Sequence, residues 1–180
     1  SEIEEVTRRL EELVKTVREV LREAHERTRR LVEKVRKLIE DVIRTNRKIK
    51  ERVRELLERV RSEELKRLVE EVAEEMKKSD KELRDRVRRV VEELRRVTEE
   101  VRRLVEEAAK ELRRVVDELK PGDEIRKLRR RVEEVVRELE EELEKDRREV
   151  EKVIEELERE VDRSNEETRR VVKRLREEVE

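Results

Sequence analysis

Residues 125–179 read IRKLRRRVEEVVRELEEELEKDRREVEKVIEELEREVDRSNEETRRVVKRLREEV. One face of this stretch is marked by Ile125, Leu128, Val132, Val135 and Leu139, then by Leu143, Asp146, Val150, Val153 and Leu157. A third set follows at Val161, Ser164, Thr168, Val171 and Leu175, with Val179 after it. The steps run 3-4-3-4-4 three times, so 18 residues hold five layers at 3.6 residues per layer. A seven-residue repeat of about 3.5 residues per turn forces left-handed supercoiling, whereas 3.6 matches a relaxed α-helix. The stretch therefore predicts one long, nearly straight helix with a single inward stripe.

The same period organises the rest of the chain. Leu65, Val69, Val72, Met76 and Ser79 are followed by Leu83, Val87, Val90, Leu94 and Val97, and then by Val101, Val105, Ala108, Leu112 and Val115. Upstream it runs from Leu10 through Val17, Ala24, Thr28, Val35, Asn46 and Val53 to Leu56 and Val60. Flanking apolar residues such as Val14, Leu21, Ile39, Val91, Val116, Val136, Ile154 and Val172 widen each stripe to the width a helix needs to touch two neighbours. Pro121-Gly122 is the one strong break, with Asp123 placed to cap a new helix. A phase slip after Val60, with Ser62 as N-cap, marks a second turn. Ser79-Asp80 does not interrupt the seven-residue spacing of Met76, Leu83 and Val90, and is read as mid-helix. Helices of about 1–61, 62–119 and 123–180 result, with turns near 61–63 and 120–122. Short turns make successive helices antiparallel. The expected fold is all-α: a single elongated up-down-up antiparallel three-helix bundle covering residues 1–180.

Composition agrees with that pattern. Charged residues are 59% and apolar residues 32%, far from the roughly 25% and 45–50% of ordinary domains. Disorder goes with low hydrophobicity and high net charge, but 53 Lys and Arg balance 54 Asp and Glu to a net −1. Cysteine and aromatic residues are absent, which excludes disulfides, thiolate metal sites and stacking platforms for single-stranded nucleic acid. No apolar run approaches a membrane span, and Ser1-Glu2-Ile3-Glu4 does not begin a secretory signal; a soluble protein is expected.

The polar residues within the stripes are informative. In an up-down-up hairpin, Thr45 and Asn46 fall level with Ser79 and with Ser164 and Asn165, close to Thr168. His25 and Thr28 fall level with Thr98 and Asp146. Two buried hydrogen-bonded layers are expected, because an unpaired buried polar group costs about 1–3 kcal/mol. Such layers favour specificity of register over stability. Asp146 is expected to stay ionised beside the imidazole of His25, so that acid weakens the bundle there.

The 18-residue repeat, the Val- and Leu-rich core without aromatics and the Glu/Arg surface resemble computationally designed helical bundles built on parametric backbones. The paired polar layers resemble the hydrogen-bond networks placed in such proteins. That resemblance covers the whole chain and implies a hyperstable structural scaffold without evolved activity. The other reading is an interaction module, meaning a subunit of a homo- or hetero-oligomer or a helix-binding groove between helices one and two.

Enzyme chemistry finds little support in the residues. His25, a threonine and Asp146 form a triad only on paper, since continuous helices offer no free backbone N–H groups for an oxyanion. His25 is the sole imidazole and no HExxH is present, so neither a metal nor a cofactor is expected. Arg129-Arg130-Arg131 is flanked by acidic residues, which points to a solvated face and not to a nucleic-acid partner. A lipid or small-molecule ligand is not expected either.

Overall fold

The computed structural model describes residues 2–59 and 63–180. They form three α-helices: α1 (Glu2–Arg59), α2 (Glu63–Asp117) and α3 (Asp123–Val179). No strand occurs among the described residues. Val60 and the proposed cap Ser62 lie outside them. Each helix opens on acidic residues (Glu2, Glu4 and Glu5; Glu63 and Glu64; Asp123 and Glu124) and ends near an arginine (Arg59, Arg114 or Arg176). Both placements complement the helix dipole. Ser79 lies inside α2, as the uninterrupted stripe predicts.

The link between α2 and α3 shows how the Pro-Gly signal acts. The last bonds of α2 are Glu118 N–H to Arg114 O and Leu119 N–H to Val116 O, both 3.2 Å. The latter spans only three residues, the tightening common at helix ends. Gly122 accepts the first bond of α3, from Arg126 N–H at 3.1 Å. Gly122 thus holds the N-cap position expected of Asp123, and Asp123 contributes in the first turn as an anion near the helix dipole. Nothing lies within 4 Å of where a Cβ on Gly122 would stand.

The chain divides into two compact units, one of Ser1–Arg30 with Glu93–Lys152 and one of Leu31–Glu92 with Val153–Glu180. In the first, all three helices build the core. Leu10, Leu112, Val116, Ile125, Leu128, Val132 and Val136 form one cluster, and Val17, Leu21, Val101, Val105 and Leu139 belong to another. Ion pairs mark the helix directions. Glu11–Arg131 (3.7 Å) and Arg18–Glu138 (3.6 Å) join residues of α1 and α3 whose numbers differ by 120, so these helices run parallel. Arg113–Glu133 (2.9 Å) and Asp117–Arg129 (3.3 Å) join residues whose numbers sum to 246, so α2 and α3 run antiparallel.

In the second unit, Val53, Val69, Ala73, Met76, Val171, Val172 and Leu175 form the cluster. Arg36–Glu156 (3.0 Å) and Arg47–Glu167 (3.5 Å) keep the offset of 120 between α1 and α3. Arg176 grips Glu70 through two hydrogen bonds of 2.9 and 3.1 Å.

The stripes bury a line shifted by one residue from the predicted slots at several layers. Val91, Val116, Val136 and Ile154 are buried, whereas Val90, Val115, Val135 and Val153 are only half-buried. Ala73, at 0% exposure, takes the place expected of Val72. Leu56, expected inside, is 42% exposed, and Leu57 packs against the core instead. A stripe two residues wide offers either member of each pair to the core, and the packing of two neighbours decides which goes deeper.

Candidate functional site

Both groups of polar residues have a definite place, one in each unit. In the second unit Asn46, Ser164, Asn165 and Thr168 are buried, Ser79 is half-buried and Thr45 is exposed. The Asn46 side-chain amide donates to Thr168 Oγ1 at 3.0 Å. The Thr168 hydroxyl donates in turn to the Ser164 carbonyl one turn back on α3, also at 3.0 Å. That chain joins α1 to α3.

On α2, the residue that reaches this layer is Asp80, 8% exposed. In the sequence Ser79 takes the slot, because the steps Val72–Met76–Ser79–Leu83 continue the alternation of four and three. The steps Met76–Asp80–Leu83 fit the helical stripe equally well, in the same one-residue shift seen at Ala73 and Val91. Burial pushes the Asp80 carboxyl above the ordinary aspartate range. Thr168 and the charge of Arg84 act in the opposite direction.

The layer is only partly satisfied. Asp80 Oδ1, Ser164 Oγ and both amide atoms of Asn165 are buried without a hydrogen-bond partner in the protein. Groups in that condition oppose folding by about 1–3 kcal/mol each.

In the first unit the expected buried layer is open to solvent on one side. His25 is exposed, while Thr28, Thr98 and Asp146 are half-buried. Thr28 Oγ1 donates to Ala24 O at 2.9 Å and Thr98 Oγ1 donates to Leu94 O at 2.8 Å. Each threonine thus gives its single proton to its own helix, the usual local competitor of cross-helix bonding. Neither hydroxyl is left to donate across the bundle, and neither is held by an imidazole as a nucleophile must be.

The α3 partners of His25 are Asp146 and Glu149, one turn apart. One ligand-type atom from each of the three lies within 4.8 Å of the others. Glu149 escaped sequence reasoning because it falls outside the apolar stripe. It stands beside Asp146 because positions three apart share a helix face. Burial raises the Asp146 carboxyl, neighbouring His25 lowers it, Glu149 raises it further and Lys145 lowers it. The net direction is upward, so the imidazole does not hold the carboxyl below its ordinary value, and acid is not expected to weaken the bundle through it. Desolvation outweighs the nearby cations.

The first unit also carries an open groove of about 540 Å³, lined by α1 and α3 and floored by Leu112 of α2. Leu10, Val14, Leu128, Val132 and Val135 supply its apolar surface. It lies between α1 and α3, whereas the interaction-module reading expects a groove between helices one and two.

Helices of this length, packed in parallel and antiparallel pairs around Val/Leu clusters, define a three-helix bundle. Among solved structures the chain is similar to one described as a computationally designed three helix bundle, with a TM-score of 0.62 at 14% identity. The match covers 99% of this chain and 90% of that one. At that identity the likeness is one of fold. No protein-family model matches the chain, and no curated protein matches it. Among the described residues no helix is long and apolar enough to cross a membrane.

Proposed function

We propose that the chain is a designed structural scaffold, one three-helix bundle over residues 1–180 whose polar layers select helix pairing and whose residues carry no catalytic role. The observation that carries this reading is the likeness, over nearly the whole chain, to a computationally designed bundle. Two further features support it. The helices run unbroken for 58, 55 and 57 residues. The Thr28 and Thr98 hydroxyls are committed to their own helices.

Sedimentation equilibrium over a concentration series tests the reading. A constant mass near 22.2 kDa supports a monomeric scaffold. A stable multiple of that mass transfers the reading to the interaction module, with this chain as one subunit. The Asn46–Thr168 bond tests the pairing role. Thr168→Val alone leaves the Asn46 amide buried and unpaired, and is expected to lower stability by about 1–3 kcal/mol. Adding Asn46→Val is expected to restore most of the loss, because apolar replacement of both partners is close to neutral. Additive losses in the double variant would mean that the two residues act independently and that the bond has no part in pairing the helices.

A further inference from the structure

The structure assigns a divalent metal site to His25, Asp146 and Glu149, which goes beyond the scaffold reading. An imidazole nitrogen and two carboxylate oxygens from two helices converge, with the three atoms within 4.8 Å of one another. That donor set suits a first-row divalent ion of borderline softness, such as Zn²⁺, Co²⁺, Ni²⁺ or Cu²⁺, better than Ca²⁺ or Mg²⁺, which favour all-oxygen sites. Three protein ligands leave at least one position for water.

The convergence is close to what coordination needs. Bonds of about 2.0–2.1 Å at a tetrahedral angle place ligand atoms roughly 3.3 Å apart, so the groups need to draw together by about 1.5 Å at most. His25 and Glu149 are exposed and, among the described residues, neither is held in a hydrogen bond or an ion pair, so rotation of their side chains suffices. Asp146 is half-buried and fixes the inner end of the site. Without a cation, two acidic groups one helical turn apart repel each other, and the partial burial of Asp146 intensifies that repulsion. A divalent ion would relieve it. Lys145 is the competing charge nearest to Asp146 in effect, and its flexible stem lets the ammonium swing away.

The sequence offers an unusual control, because His25 is the only histidine of 180 residues. Its ring resonances report on one site without assignment. The experiment is a calorimetric titration of the full chain with ZnCl₂, paired with Co²⁺ absorption spectra and imidazole NMR. One-to-one saturable binding is expected, with visible Co²⁺ d–d bands and a shift of the His25 ring signals. His25→Ala and Asp146→Asn are each expected to weaken binding at least about tenfold, while Glu142→Gln, an exposed carboxylate on the same helix, leaves it unchanged. Circular dichroism checks that each variant stays folded. Absence of saturable binding would overturn the site. So would binding that survives His25→Ala undiminished, which would mark diffuse attraction to surface carboxylates. The mass of the protein does not enter this test, so the site can fail while the scaffold reading stands.

Discussion

Asp80 shows how a charge behaves when packed helices bury it. Its carboxyl is held above the ordinary value of 3.8, chiefly by burial. A carboxyl raised in this way takes up its proton more readily in the folded chain than in the unfolded one. Its charge therefore costs stability above the raised value, and that cost disappears below 3.8. Asp80→Asn is expected to be more stable than the parent at neutral pH, with the advantage shrinking as the pH falls towards the ordinary aspartate value. Urea unfolding of both proteins across that range measures the effect, and an advantage that grows in acid would contradict it. Asn165 has the same standing without the charge. Both its amide atoms are buried and unpaired, so Asn165→Val is expected to raise stability by roughly 1–3 kcal/mol. A loss of stability on that change would show that the amide is bonded in solution.

At the scale of the element, the phase of each stripe decides which residues matter. Val116 is 1% exposed within the cluster that joins α2 to α3, and its neighbour Val115 is half-buried. Val116→Ala removes two buried carbon groups at about 0.8 kcal/mol each plus the cavity left behind, so a loss of about 2 kcal/mol is expected. Val115→Ala is expected to cost well under half of that. Equal losses in denaturant titrations would mean that the stripe is centred between them. This is also where the sequence was least legible. The period follows from spacing, the turn at Pro121 from its Pro-Gly pair, and helix direction from the shortness of the turns. Which of two adjacent valines lies deeper depends on the neighbouring helices, and no single stripe contains that information. The polar layers show the same boundary. Hairpin arithmetic puts Asn46 level with Ser164 and Asn165, one turn short of the Thr168 it bonds, and it does not foresee Asp80 in place of Ser79. Nor does it foresee the return of the Thr28 and Thr98 hydroxyls to their own helices, since a hydroxyl one turn from a carbonyl always has that alternative.

For the whole molecule, the question is whether the charged surface or the apolar interior holds the fold. The surface is dense with Arg–Glu pairs, and those that bridge helices, such as Arg113–Glu133 and Arg176–Glu70, join well-exposed side chains. Exposed pairs contribute between nothing and about 1 kcal/mol, and at about 1 M salt the Debye length falls to roughly 3 Å. A net charge of −1 leaves little overall repulsion for salt to relieve. The interior, by contrast, buries Met76, Leu83, Leu94, Leu139, Ile154, Leu157 and Leu175 almost completely, and each such side chain stabilises by roughly 1.5–3 kcal/mol before the cost of ordering the chain. The two contributions respond differently to ionic strength, since salt screens ion pairs but leaves apolar burial intact or slightly strengthened. The midpoint of urea unfolding is therefore expected to stay nearly constant, or to rise slightly, when about 1 M NaCl is added. A marked fall would mean that the ion pairs linking α1 to α3 and α2 to α3 hold the helices together, and that the valine and leucine stripes alone do not specify the bundle.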